Sequence, residues 1–98
     1  MPPVRIKPSV KGKLLSWGLA REIIIQIYTR LHDLPQGWEE KLGEEIINLN
    51  ARSYSFVLFD PHRLPHRHLF VFAVRIDPQQ NSLEIIACRH STDETGEN

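Results

Sequence analysis

The stretch Asp60-Pro61-His62-Arg63-Leu64-Pro65-His66-Arg67-His68 sets three imidazoles and two guanidinium groups close together, and Arg89-His90 adds one more of each. An imidazole changes its charge near neutral pH, whereas a guanidinium keeps its charge and offers a planar fork that fits phosphate oxygens. Side by side, the two groups can hold a phosphate and move a proton next to it. If the loop meets the strand end, Arg63, Arg67, Arg89 and His90 form a phosphate-binding patch. The alternative is that these arginines flank the sheet and pair with Asp60 or with the acidic C-terminus.

The spacing of His62, His66 and His68 also raises a metal site. Pro61 and Pro65 prevent a regular helix from aligning His62 with His66, and no cysteine cluster completes a ligand set. No metal or cofactor is therefore assigned. Cys88, the single cysteine, lies in an apolar run and reads as a core thiol with no base to activate it. Trp17, Tyr28 and Trp38 read first as core or interface anchors.

The elements that must position these groups centre on residues 69–90. Leu69–Ile76 is apolar at nearly every position, and Leu83–Cys88 is similar apart from Glu84. Asp77-Pro78-Gln79-Gln80-Asn81-Ser82 between them has the composition of a turn. An almost unbroken apolar run predicts a hairpin covered on both faces. Arg75 and Glu84 come opposite each other in some registers and read as a cross-strand pair.

Upstream, Val4-Arg5-Ile6-Lys7 predicts a short edge strand ended by Pro8. Ser9 is placed to cap a helix running to Trp17, with Gly18 as its stop or a bend. Ile23, Ile24, Ile27, Tyr28 and Leu31 recur at helical spacing as an apolar stripe. Trp38, Leu42 and Ile46 allow a short third helix, and residues 46–49 are open between helix and strand. Tyr54–Phe59 predicts another strand, stopped by Asp60-Pro61. The order β–α–α–(short element)–β–β–β predicts an α+β domain, a small antiparallel meander with the N-terminal helices packed on one face.

At 98 residues, 41% apolar and 24% charged, the chain predicts one globular domain. The formal net charge is zero but unevenly spread. Residues 1–30 hold six basic groups against Glu22 alone, residues 31–60 are acidic, and 61–92 are basic again. A basic face opposite an acidic one would follow if the side chains segregate. Residues 93–98 are expected to be a frayed acidic tail. No apolar run reaches the length of a membrane span and no signal-peptide core opens the chain, so a cytoplasmic protein is expected.

The element order, with Val4-Arg5-Ile6-Lys7-Pro8-Ser9-Val10-Lys11 at one end and His68–Val74 plus Leu83–His90 at the other, resembles the RelE/ParE superfamily of bacterial toxins. The ending Ile86-Ala87-Cys88-Arg89-His90 is similar to its YoeB branch. The resemblance implies a toxin neutralised by a cognate antitoxin. In the ribosome-associated members it implies metal-independent cleavage of messenger RNA by attack of the ribose 2′-hydroxyl on phosphorus. It would make Arg67, Arg89 and His90 catalytic, with Arg63, His66, His68, Lys11 and Lys13 contacting RNA phosphate. The ParE branch implies gyrase as target instead. Leu69 stands where the family usually has an arginine, and Ser91-Thr92 where the YoeB-like ending has His-Tyr. These departures motivate the alternative of a catalytically inactive binding module on the same scaffold. The apolar helix stripe adds the further reading of a homodimer.

Overall fold

The structure, a computed structural model, describes residues 3–63 and 66–92; the expected acidic tail and the Leu64-Pro65 step lie outside them. Strand β1 (Val4–Ile6) leads into α1 (Pro8–Ser16) and α2 (Arg21–Asp33). Pro8 occupies the first turn of α1, where its missing N–H costs nothing. Gly18, at φ +66°, ends that helix and turns the chain toward α2. Ile23, Ile27 and Leu31 form the buried stripe of α2, with Ile24 and Tyr28 at its half-buried margin.

A short helix α3 (Trp38–Lys41) follows Gly37, whose φ is +73°. The stretch left open by the sequence resolves into a two-residue strand, β2 (Glu45–Ile46), and a single 3₁₀ turn at Ile47–Leu49. Asn50 then takes the left-handed conformation that asparagine tolerates, reversing the chain into β3 (Ala51–Phe59). Strands β4 (Arg67–Asp77) and β5 (Ser82–Thr92) complete the sheet and are longer at both ends than their apolar runs. Asp77 Oδ1 accepts from the N–H groups of Gln79 and Gln80 at 3.0 and 3.2 Å, fixing the hairpin turn.

The five strands lie in the order β1-β5-β4-β3-β2. The β2-to-β5 stretch is the expected antiparallel meander, but β1 joins the edge of β5 in parallel, with Val4 opposite Leu83 and Ile6 opposite Ile85. The sheet is therefore mixed rather than wholly antiparallel. Strand β5, reached after the helices and the strands β2, β3 and β4, runs in the same sense as β1.

Helices α1 and α2 cover one face only. Leu14, Ile27, Leu31 and Leu34 meet Phe70, Phe72, Val74, Leu83 and Ile85 in a core from which water is excluded. Burying side chains of this size stabilises the fold by about 1.5–3 kcal/mol each. The opposite face, which the apolar runs predict to be covered, is left open by the described residues. Leu69 is 39% exposed there, and Val57 and Val71 are half-buried.

The continuity of the second apolar run has a different cause. Phe72 pairs with Cys88 and Ala73 with Ala87, but Val74 pairs with Ile85, so Ile86 is an extra residue in β5. Such a bulge resets the alternation, and residues on either side of it no longer keep strict parity. Arg75 and Glu84 are direct register partners and form an ion pair at 4.0 Å, as expected. Cys88 is buried in the core, and burial pushes its thiol pKa up.

Candidate functional site

Residues directly opposite in an antiparallel pair project to the same side. Phe70 faces His90, Val71 faces Arg89, and Leu69 faces Ser91. Because Phe70 is in the core, His90 belongs to the helix side of the sheet, and Arg89 to the open side. Arg67 pairs with Phe59, and His68 with Leu58 and Thr92. Arg67 thus shares the open face with Arg89, while His68 joins His90 beneath the helices. The sequence grouped Arg67, Arg89 and His90 together; the sheet separates the two arginines from the imidazole by its own thickness.

On the helix side, His68 is only 7% exposed. Its Nδ1 lies 2.9 Å from His90 Nε2, the ring centroids are 5.1 Å apart and the ring planes are 18° from parallel, so the two imidazoles meet edge to edge. His90 is further held between Trp17 and Phe70, each at a centroid distance of 5.0 Å. Burial, and secondarily the neighbouring His68, lowers the His90 pKa below its ordinary 6.5. His90 is therefore mainly neutral at neutral pH.

One proton bridges the pair. If His68 Nδ1–H donates, the free His90 Nδ1 carries a hydrogen and the free His68 Nε2 a lone pair. If His90 Nε2–H donates, the outer groups exchange roles. The neutral pair always has one outward donor and one outward acceptor, and added protonation converts both to donors.

These rings line a cleft of about 180 Å³ together with Asp60 and Arg63, roofed by Trp17 and the α1–α2 link. The loop is held by its own hydrogen bonds. Asp60 Oδ1 accepts from the His62 N–H at 3.0 Å, and the Asp60 carbonyl accepts from His66 Nδ1–H at 3.0 Å. The Asp60 N–H donates to the His66 carbonyl at 2.7 Å. The three loop histidines thus make separate contacts. Among the described residues no group of three or more His, Cys, Asp or Glu is arranged to hold a metal ion.

The open face is of another character. Arg67 and Leu69 border a shallow depression of about 210 Å³ with Val57 and Ser91, and Phe59 beside it is 63% exposed. Arg89 lies along the same face. Cationic and apolar groups are both present, and the described strand residues next to these arginines are serine, threonine, aliphatic or aromatic, so they bring no carboxylate or imidazole.

No family model matches this chain, and comparison with curated proteins and with solved structures finds no significant match in either.

Lys11 and Lys13 are exposed on α1, and neither lines the cleft. His62 and His66 are exposed on the loop. Trp17 and Asp60 also line the cleft, although their sequence context points only to an apolar anchor and an arginine partner. Asp60 was legible as the residue that stops β3 and precedes proline, whereas nothing local in the sequence brings Trp17 to His90.

Proposed function

We propose that this chain is the toxin component of a RelE/ParE-like toxin–antitoxin pair, and that it acts by binding through the open face of its sheet. The element order supports the kinship: an N-terminal strand, two helices on one side, then a strand meander. The observation that carries the mode of action is the division of Arg89 from His90. Arg67 and Arg89 can neutralise phosphate or carboxylate on the open face, where Leu69, Val57 and Phe59 add apolar contact. Cleavage through the 2′-hydroxyl also needs a proton acceptor within hydrogen-bond reach of the same phosphate. The imidazoles of His68 and His90 stand on the other side of the sheet.

The cognate antitoxin then covers the open face with an amphipathic segment, its carboxylates meeting Arg67 and Arg89. RNA, the ribosome and gyrase are the candidate targets. No helix among the described residues is long and apolar enough to cross a membrane.

Tightly controlled expression tests the reading. Growth arrest with intact transcripts, relieved by co-expressing the small protein encoded beside this chain, is the expected result. Normal growth with the protein folded and abundant overturns the toxin reading. Transcripts cut to leave 2′,3′-cyclic phosphate ends would restore the endonuclease reading and overturn action by binding alone.

A further inference from the structure

Strand β2 pairs with β3 only at Ala51 and Arg52, so most of β3 is an open sheet edge. Ser53 donates its N–H to the Glu44 carbonyl at 2.9 Å and its carbonyl accepts from the Gly43 N–H at 2.6 Å, so both of its backbone groups point away from β4. Alternation along the strand turns the N–H and carbonyl groups of Ser55, Val57 and Phe59 the same way, and those of Tyr54, Phe56 and Leu58 toward β4. Asp60 keeps this parity, since its N–H donates inward to the His66 carbonyl. The outward groups of Ser55, Val57 and Phe59 have no partner among the described residues.

Sheet edges are commonly blunted by a lysine, a proline or a bulge. Residues 53–59 include no charged residue and no proline, and the register with β4 is unbroken from Arg52 to Phe59. The edge at β1 differs, being three residues long with Arg5 at its centre and Lys7 after it. The open run of β3 is bounded at both ends: Gly43 and Glu44 fill the ladder at Ser53, and Pro61 cannot extend it past Asp60. An extended segment of the same length fits there, and β3 is itself such a segment. Set antiparallel about Val57, two copies oppose Val57 to Val57 and Ser55 to Phe59, a small side chain beside a large one. Each of these opposed pairs exchanges two backbone hydrogen bonds. Pro61 of one copy comes level with Ser53 of the other, so the pairing ends where both leave the ladder. Sliding it by two residues sets Phe59 against the filled Ser53 position or Ser55 against Pro61, and loses a pair.

We propose that two copies of this chain associate through their β3 edges, residues 55–59 pairing antiparallel about a two-fold axis at Val57, to form one continuous sheet. The charges on α2 suit this arrangement. Arg30 stands over the Phe56 ring at 5.4 Å, and Glu22 and Gln26 border Phe59, so α2 runs antiparallel to β3. The two-fold axis turns the Glu22 end of one α2 toward the Arg30 end of the other, and unlike charges face each other. The stripe Ile23, Ile27 and Leu31 is buried in its own core, so the sheet edge rather than that stripe supplies the contact. An interface of this length is small, and the dimer dissociates on dilution. The proposal does not depend on the toxin reading, because its hydrogen bonds lie in the plane of the sheet and not on the open face.

Amide hydrogen exchange of the full chain, compared by NMR in dilute and in millimolar solution, provides the test. The amides of Ser55, Val57 and Phe59 are expected to slow at least about tenfold as concentration rises, while those of Tyr54, Phe56 and Leu58 stay slow throughout. Sedimentation over the same range should show monomer passing to dimer and no further. Cysteine variants fix the register, since Cys88 is buried. Val57→Cys is expected to form a disulfide-linked dimer under mild oxidation, because directly opposed residues lie about 5.5 Å apart at Cα. Ser55→Cys should link to Phe59→Cys when the two are mixed, and not to itself. Val57→Pro removes an outward N–H that the chain's own sheet does not use, so it is expected to fold and to stay monomeric. Exchange independent of concentration, a monomer at millimolar concentration, a dimer retained by the folded Val57→Pro variant, or Ser55→Cys linking to itself as readily as Val57→Cys would each overturn the proposal. Protection of the outward amides only when the small protein encoded beside this chain is added would assign the edge to that partner and overturn it as well.

Discussion

Ile85 and His90 are five positions apart on β5 and yet share the helix-covered face, Ile85 opposite Val74 and His90 opposite Phe70. An odd separation should place them on opposite faces. The extra residue at Ile86 corrects the parity. Without that offset, Arg89 would lie in the core under α1 and α2 and His90 would stand in the open, so one backbone irregularity decides which chemistry each face receives.

Deleting Ile86 is therefore expected to be tolerated. Removal of the bulged residue restores simple alternation while Cys88 and His90 stay on the side of Ile85. Protection of the Cys88 thiol from alkylation in the folded deletion variant is the measurement, and alkylation at the rate of the unfolded chain would contradict it.

Phe70 and Phe72 are fully buried, and Phe56 lies 5.7 Å from each by ring centroid. Truncating either to alanine is expected to cost about 3–5 kcal/mol in denaturant unfolding. Phe59→Ser, on the open face, should stay within about 0.5 kcal/mol of the parent. The contrast in unfolding midpoints checks that the helices cover one face only.

Stability should fall as the solution is acidified through the histidine range. His90 has a folded pKa below its unfolded 6.5. Between the two values the unfolded chain holds a proton that the folded chain does not, so acid favours unfolding. The contribution is fully present above pH 6.5 and is lost as pH falls through the folded value. Denaturant midpoints in chloride buffers should show this slope, and His90→Asn should flatten it.

The Arg75–Glu84 pair is half-exposed and is expected to add little. Glu84→Gln should cost no more than about 1 kcal/mol. Arg75→Leu should cost more, because Arg75 Nη2 also donates to the Leu49 carbonyl at 3.1 Å and ties the 3₁₀ turn to the sheet. Comparing the two single variants by thermal unfolding separates the ion pair from that tether.

Arg67→Glu and Arg89→Glu should leave the fold intact and abolish copurification of an acidic partner, because both lie on the open face. Retained capture by the double variant would move the partner's site elsewhere.

The sequence by itself determined the order of the elements, the stripe of α2, the turn at Asp77 and the core placing of Cys88. Each follows from short-range chemistry: helical spacing, a carboxylate capping two amides, a thiol within an apolar strand. It also determined which residue types are available for phosphate and proton chemistry. Only the tertiary structure decided how they are divided. Side-chain direction along β5 depends on where the ladder slips by one residue, and that is fixed by packing of Phe72, Val74 and Ile85 against the helices rather than by any local motif. The apolar run over Leu69–Ile76 likewise says that both of its faces tolerate grease, while the placement of just two long helices leaves one of them open. Trp17 meets His90 through a contact between residues far apart in the chain, which no spacing rule encodes.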